Sequence, residues 1–256
     1  MAFTLAEVLI TLGIIGVVCA LTIPNVIAGY QEKVTVERLT QTYNLLLNAT
    51  KQMIQDESLT IEQFGSTPEE RGNKYWELLP NYLKIVDKCA ANIDGGKCLT
   101  GYLFYYNRLV GKAHQGFYDN RYVLANGAVI SLKPGGSCQQ DMSLTKRGTN
   151  EIGTGKIVYG TYLHQCGHIL VDINGKKGPN TTDKDIFNFV LVQDGVLPTG
   201  SPKEVIWTEM FDNQCLGIKI YNPNGYCSAW VIYNKNMDYL HCPDKLGWKK
   251  ASSCKD

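Results

Sequence analysis

The N-terminal segment is apolar over a length that suits a membrane-spanning helix. Residues 3–23 read FTLAEVLITLGIIGVVCALTI and contain one carboxylate, Glu7, and three threonines. At about 1.5 Å per residue, a helix of this length crosses the roughly 30 Å hydrocarbon layer once. A cleavable secretory signal would have a shorter apolar core, a basic start and a small-residue cleavage site after the core. The run therefore predicts a membrane helix rather than a cleavable signal.

The charge within this run needs a physical explanation. Inserting a carboxylate costs about 2.5–3.5 kcal/mol at the bilayer centre and less toward either surface. Glu7 lies near one end of the run, and a partner of opposite charge would offset the cost. The alternative is an ordinary signal-anchor helix in which Glu7 reaches the membrane interface.

The start of the chain resembles the N-terminal signature of prepilin-like proteins, the type IV pilins and the pseudopilins of type II secretion. Residues 3–7 read FTLAE, and Pro24 stands where that family often has a helix-bending proline. In that family a short leader is removed just before a Phe and the new N-terminus is methylated. The resemblance therefore implies processing at Ala2 and Phe3, and roles in assembly for Glu7 and Pro24. In this chain Ala rather than Gly precedes Phe3, and no Lys or Arg precedes the run.

The resemblance also implies a function within a polymer. Cleavage before Phe3 would leave a positively charged amine, and Glu7 of a neighbouring copy could pair with it as subunits bundle. The chain would be a structural subunit of a type II secretion pseudopilus or type IV pilus, minor or lineage-specific because its domain is large. Its partners would be other pilin or pseudopilin subunits, a prepilin peptidase, an inner-membrane assembly platform and membrane lipid. It would cross the bacterial inner membrane once, with its globular domain outside the cytoplasm.

Two other classes of function compete with this one. The first is a membrane-anchored, Cys-rich binding or adhesion module outside the cytoplasm. The second is an anchored enzyme, which we do not expect because no G-x-S-x-G, H-E-x-x-H, P-loop or Rossmann motif accompanies the histidines. The net charge is +1 and no basic stripe is present, so we expect no nucleic-acid partner either.

The apolar pattern continues beyond Pro24 as an amphipathic helix. Apolar residues recur at spacings of mostly three and four, and polar residues fill the positions between them. Because a proline within a helix removes one hydrogen bond, we expect a bend at Pro24 rather than a stop. The whole helix is predicted over residues 3–56. The stripe is too irregular for heptads, which favours packing against a sheet. It comprises Val26, Ile27, Tyr30, Val34, Leu39, Tyr43, Leu46, Leu47, Met53 and Ile54.

The rest of the chain predicts strands more than helices. Asn126-Gly127 stands between two apolar runs and is the strongest hairpin signal in the chain. Residues 168–173 and 187–193 are further apolar runs that end at Asn-Gly and Asp-Gly turns. A loop is predicted over residues 58–72, a short helix broken at Pro80 over residues 73–86, and another helix over residues 228–234.

These elements together predict an α+β fold, which the resemblance implies is pilin-like. A long N-terminal helix would pack on an antiparallel β-sheet, with a disulfide-rich C-terminal region. The predicted division is a residual leader (1–2), a transmembrane and polymerisation helix (3–24), its amphipathic continuation (25–56) and an exported globular domain (57–256).

The cysteines indicate an oxidising compartment. Of nine, Cys19 lies inside the membrane run, and the other eight are spread over the predicted exported domain. Eight cysteines allow 105 pairings, which sequence cannot resolve, although nearest neighbours favour Cys89–Cys98 and Cys242–Cys254. The eight candidates for disulfides are Cys89, Cys98, Cys138, Cys166, Cys215, Cys227, Cys242 and Cys254.

The histidines offer one alternative use for a cysteine. His164, Cys166 and His168 alternate and would share one face of a strand, so a three-ligand metal site is an alternative to a disulfide there. The other histidines, His114 and His241, stand apart from that cluster in the sequence.

The polar segment at residues 172–185 is the best candidate for a ligand site. It lies between two apolar runs and is rich in oxygen-bearing side chains, which calcium prefers. It resembles the Asp/Asn/Gly loop of major pseudopilins, where calcium holds the last connection of the sheet. The candidate ligands of calcium are Asp172, Asn174, Asp183 and Asp185. The alternative is an Asx-turn loop closed by its own hydrogen bonds.

Overall fold

The structure is a computed structural model with a long N-terminal helix and a globular α+β region. It describes residues 4–90, 98, 102–105, 108–112, 120–136, 138, 148–150, 157–159, 165–178, 180–201, 211, 215–216 and 225–255. The predicted processing residues Ala2 and Phe3 lie outside the described residues, as do His114 and His164.

The first helix, α1, extends over Leu5–Glu57 and is 53 residues long. It continues through Pro24 without a stop, as predicted. An 18-residue window within it has a mean hydropathy of 2.4, and none of that window is buried in the protein. This helix is therefore long and apolar enough to cross a membrane.

Only the C-terminal half of α1 belongs to the core. Leu39, Leu46 and Met53 are fully buried and recur at seven-residue spacing, two turns apart. The predicted stripe extended further toward the N-terminus, and there it is wrong. Val26 and Tyr30 are 70% and 68% exposed, because the buried face of the helix begins only where the globular region packs on it.

The second helix, α2, begins earlier than the sequence analysis predicted. It extends over Pro68–Leu78, partly within the predicted loop. Thr67 caps it: the Thr67 Oγ1 accepts a hydrogen bond from the Glu70 N–H at 3.1 Å, and Oε2 of Glu70 accepts from the Thr67 N–H at 3.1 Å. This reciprocal capping box, with proline in the first turn, fixes the start of the helix. The helix tightens into a 3-10 turn at Leu79–Asn81, and a strand follows where helix was predicted.

The described residues contain eleven strands, most of them in one sheet. Six strands form an antiparallel sheet in the order β1-β4-β5-β8-β10-β11, and β4 and β5 are joined by the predicted Asn126-Gly127 turn. The smaller sheets are β3-β2-β9 and β6-β7. The bounds are β1 Ile85–Ala90, β2 Tyr102–Tyr105, β3 Arg108–Lys112, β4 Asn120–Leu124, β5 Val129–Pro134, β6 Gly148–Asn150, β7 Ile157–Tyr159, β8 Gln165–Asp172, β9 Asn180–Thr181, β10 Ile186–Val192 and β11 Gly195–Pro198.

Helix α1 packs on the sheet at the edge formed by β10 and β11. The ring of Tyr43 stacks on Phe189 with 5.5 Å between centroids, and the Tyr43 hydroxyl donates to the Val196 carbonyl at 3.4 Å. The third helix, α3 (Ser228–Asn234), lies where the sequence predicted it and buries Trp230 against Phe211. The α+β architecture is therefore confirmed: a long helix lies on an antiparallel sheet.

Eight cysteines form four disulfides. Cys89–Cys98 and Cys242–Cys254 are the two nearest-neighbour pairs that the sequence favoured, and Cys138–Cys166 and Cys215–Cys227 are the others. Cys19 is a free thiol within α1. Because the sulfur of Cys166 is bonded to another sulfur, it is not a thiolate, and the three-ligand metal site around it is wrong.

Candidate functional site

The N-terminus of α1 holds Glu7 in a capping box. The backbone N–H and the hydroxyl of Thr4 each donate to Oε2 of Glu7 at 2.8 Å, and the Glu7 N–H lies 3.3 Å from the Thr4 Oγ1. The pattern T-x-x-E is a sequence signature of this arrangement, and the sequence analysis did not use it. Both donors reach the same oxygen. Oε1 therefore accepts no hydrogen bond from the described part of the chain.

The surface of α1 that follows Glu7 is apolar and exposed. Leu9 is 61% exposed, Leu12 59% and Leu21 70%. Soluble monomers rarely expose a continuous apolar surface of this extent. Such a surface is typical of a segment that contacts lipid or another protein.

The loop that was predicted to hold calcium begins with an Asx turn. Oδ1 of Asp172 accepts hydrogen bonds from the N–H groups of Asn174, at 2.9 Å, and Gly175, at 2.8 Å. Gly175 has φ +63° and its ideal Cβ would lie 2.7 Å from a carbonyl oxygen, so only glycine suits this position. The loop is thus closed by its own hydrogen bonds, as the alternative interpretation expected.

Asp185 lies on the same side of the loop as Asp172. Its Oδ2 accepts a hydrogen bond from the Asn174 side-chain amide at 3.1 Å, and its Oδ1 accepts from the Thr181 N–H. Burial raises the pKa of Asp185 to about 7. Burial, and then the neighbouring Asp185 carboxylate, raise the pKa of Asp172 well above its usual value. The loop therefore brings two buried carboxyl groups together, which disfavours their joint ionisation.

Asp183, the fourth predicted calcium ligand, faces a different part of the protein from Asp172, Asn174 and Asp185. Its Oδ1 accepts from the Cys227 N–H at 3.0 Å and its Oδ2 lies 3.4 Å from the Tyr226 N–H. Its backbone is left-handed, with φ +61°. Burial raises the pKa of Asp183 to about 7. The residue joins the loop to the start of α3.

The residues that could hold a cation are thus Asp172, Asn174 and Asp185. Oδ2 of Asp172 and Oδ1 of Asn174 are buried and accept no hydrogen bond. The described residues contain no group of three or more His, Cys, Asp or Glu side chains suited to a metal ion. Two carboxylates and one amide fit calcium in ligand type; backbone carbonyls or water would have to complete its six to eight oxygens.

A cleft of about 890 Å³ lies beside this loop. One wall is α1 over residues 28–38, a second is the loop itself, and a third is formed by residues 237–243. Oε1 of Glu32, on the α1 wall, lies 2.8 Å from Nε2 of His241, on the third wall. Sequence reasoning missed the cleft because its α1 wall is more than 130 residues from the loop, and the loop is about 50 residues from the third wall, so no local pattern relates them.

Comparison of the chain with protein-family models, with curated proteins and with solved structures finds no match.

Proposed function

We propose that this chain is a structural subunit of a type II secretion pseudopilus or type IV pilus, minor or lineage-specific. The observation that carries the proposal is α1 itself: one unbroken helix whose first half is apolar and exposed and whose second half is buried in an α+β domain. Such a helix can pass from a bilayer into a bundle of like helices without changing its fold. We propose no enzymatic activity for it.

The proposal accounts for the exposed half of α1. Before assembly the lipid of the bacterial inner membrane covers it, and the disulfide-bonded domain lies outside the cytoplasm, where disulfides persist. In the filament, helices of neighbouring subunits cover the same surface. The partners are then other subunits, the prepilin peptidase that exposes the amine of Phe3 and the inner-membrane assembly platform.

Glu7 has one oxygen available for a neighbour. The capping box uses Oε2 for both donors of Thr4, which leaves Oε1 to accept from the amine of Phe3 on the next copy. The two interactions are compatible, so the cap orients the carboxylate for pairing. Among packed apolar helices, breaking such a pair leaves one charge unpaired, at a cost of about 3–5 kcal/mol.

Three substitutions separate pairing from capping. Glu7→Gln keeps a capping acceptor and removes the charge, Glu7→Ala removes both, and Thr4→Val removes only the hydroxyl. We expect both Glu7 variants to insert in the membrane and fold, but to be lost from filaments. We expect Thr4→Val to assemble. The measurement is the amount of chain in sheared filaments relative to the membrane fraction, with Glu77→Gln on the exposed face of α2 as the matched control.

Each outcome bears on the proposal. If Glu7→Gln assembles as well as the unmodified chain, the pairing mechanism is wrong. If only Glu7→Ala is lost from filaments, the role of Glu7 is capping. If the unmodified chain forms no filament with its assembly machinery present, it is not a filament subunit.

The second candidate function is a membrane-anchored, Cys-rich binding or adhesion module. The cleft favours it, since ligand sites of small molecules have volumes of about 300–1,000 Å³. This function predicts that the chain remains in the membrane fraction and that Glu7 substitutions change nothing measurable. The filament assay above therefore distinguishes the two.

A further inference from the structure

The cleft beside residues 172–185 lies where a membrane surface would be. The N-terminal apolar run ends at Ile23, and Ala28, the first α1 residue that lines the cleft, lies five residues or about 7.5 Å further along the helix. The α1 wall of the cleft ends at Arg38, so it extends about 15 Å along the helix axis. The headgroup layer of a bilayer is about 5–7 Å thick on each side. If the apolar run spans the bilayer, the Ala28 end of the cleft is next to the headgroups, and Arg38 lies about 15 Å further from the membrane.

Three cations around the cleft are free to bind an anion. Arg38, Lys177 and Lys184 are exposed and form no ion pair or side-chain hydrogen bond within the described part of the chain. The two lysines come from the loop and the arginine from α1. They therefore approach the cleft from two of its three walls.

The acidic groups around the cleft do not cancel this charge. The described lining holds two acidic side chains, Glu32 and Asp185, against the three cations. Asp185 is buried, and both of its carboxylate oxygens accept hydrogen bonds from within the loop. The accessible charge of the described lining is therefore positive.

The remainder of the lining is largely apolar. It includes side chains suited to contact with hydrocarbon, and two tyrosines of the kind enriched at membrane interfaces. These residues are Tyr30, Val34, Leu216, Met237, Tyr239 and Leu240. The cleft therefore combines an apolar lining with cations at its edges, which is the pattern of an amphipathic anion.

We propose that the cleft binds an anionic phospholipid, with the phosphate of the headgroup against Lys177 and Lys184 and the upper part of an acyl chain against the apolar lining. The proposal rests only on the membrane-anchoring part of the proposed function. It is independent of filament assembly, so failure of one does not imply failure of the other.

A second copy of the chain fits the cleft less well. The longest exposed apolar surface described on another copy is residues 5–27 of α1, within which the one charge is Glu7. Docking that helix here would cover three cations with hydrocarbon and leave them unpaired, which is strongly unfavourable. A lipid phosphate supplies the opposite charge at the position where the cations lie.

The test is lipid binding by the full chain in neutral detergent, measured by native mass spectrometry. The probes are phosphatidylglycerol and phosphatidylcholine with the same acyl chains. We expect adducts with phosphatidylglycerol at concentrations where phosphatidylcholine gives none. Because each lysine near an anionic surface contributes about fivefold in affinity, Lys177→Gln with Lys184→Gln should weaken binding of phosphatidylglycerol by about thirtyfold.

The matched control carries the same charge change elsewhere. Lys51→Gln with Lys84→Gln alters two exposed lysines, and Lys51 lies about 20 Å further along α1 than Arg38. We expect its lipid binding to be unchanged. Intact disulfides and an unchanged circular dichroism spectrum show that each variant is folded. Binding by the unmodified chain should also weaken as ammonium acetate is raised, since salt screens exposed charges.

Several results would overturn the proposal. Equal binding of phosphatidylglycerol and phosphatidylcholine would show that the cleft does not select the anionic headgroup. An equal loss of phosphatidylglycerol binding in the Lys177/Lys184 and the Lys51/Lys84 double variants would show the same. Saturation by inorganic phosphate at the same concentrations would show a phosphate site without a lipid contact. Dimers that are lost in Lys177→Gln with Lys184→Gln, without any lipid adduct, would assign the cleft to a second copy of the chain.

Discussion

The backbone N–H of Cys227 donates a hydrogen bond to Oδ1 of Asp183 at 3.0 Å. The two residues are 44 positions apart, and the bond joins the loop after β9 to the residue before α3. Cys227 is also bonded to Cys215 through a disulfide. Tyr239 adds a third connection, because its hydroxyl donates to the carbonyl of Asp183 at 2.6 Å. Asp183 thus connects the sheet region to the C-terminal segment.

Removal of this side chain should destabilise the folded protein. Asp183→Ala leaves the buried N–H groups of Tyr226 and Cys227 without the carboxylate acceptor and places alanine, which tolerates left-handed backbone less well than aspartate, at φ +61°. We expect a loss of about 2–3 kcal/mol in the free energy of unfolding. Asp183→Asn should cost less, since asparagine tolerates left-handed backbone and keeps one acceptor oxygen. Urea unfolding of the full chain in detergent measures both, with the exposed Asp194→Ala as the control, expected within about 0.5 kcal/mol of the unmodified chain.

The pKa of Asp183 predicts how stability depends on pH. In the unfolded chain the group loses its proton near its usual value of 3.8, whereas in the folded protein it keeps the proton until about pH 7. The folded state thus binds more protons between these values, so the free energy of unfolding should fall as pH rises through this range and then level off. The decline, measured with chelator present, should be smaller in Asp183→Asn. An equal decline in both proteins would contradict the prediction.

Calcium should stabilise the protein through Asp172 and Asp185 if the loop binds it. A ligand that binds only the folded state stabilises it by about 2.7 kcal/mol at a hundredfold excess over Kd. The Tm of the full chain should rise with calcium, and more at high pH, because the ion needs both carboxylates ionised. Asp172→Asn and Asp185→Asn should each abolish the rise. Asp183→Asn should keep it, since that side chain faces Cys227. No rise at millimolar calcium would leave the loop as a closed Asx turn.

The disulfides should differ in their contribution to stability. Cys138 and Cys166 are 28 positions apart, whereas Cys89 and Cys98 are 9 apart. Because a longer closed loop restricts the unfolded chain more, removing the first pair by Cys→Ala substitution should cost about 1 kcal/mol more than removing the second. Urea unfolding of the two double variants tests this. A larger loss from the shorter loop would show that native contacts of the sulfurs, rather than chain entropy, determine the difference.

Strong local patterns in the sequence predicted several elements correctly. Helix α1 follows from a long apolar run and then a helical stripe, and the hairpin between β4 and β5 follows from Asn126-Gly127. Helix α3 was predicted within its observed bounds, Ser228–Asn234. In each of these cases the local preference of the chain agrees with its tertiary packing.

Other features depend on contacts between distant segments. The direction of Asp183 is set by amides 43 and 44 positions later, and the walls of the cleft meet only in the folded chain. The start of α2 is different, because its signal was local and was overlooked. Thr67, Pro68 and Glu70 form a capping box that was visible within the predicted loop.

The continuity of α1 has a mechanical consequence. A force that draws the N-terminal half of the helix along its axis is transmitted, without an intervening flexible joint, to Leu39, Leu46 and Met53 inside the core. These side chains would then be loaded in shear against the sheet, as would the contact between Lys235 and Thr40 on the side of α3. If the apolar half of α1 lies in a bilayer, pulling the protein out by this helix pulls directly on the domain, and the domain's resistance to unfolding limits the force that the helix can bear.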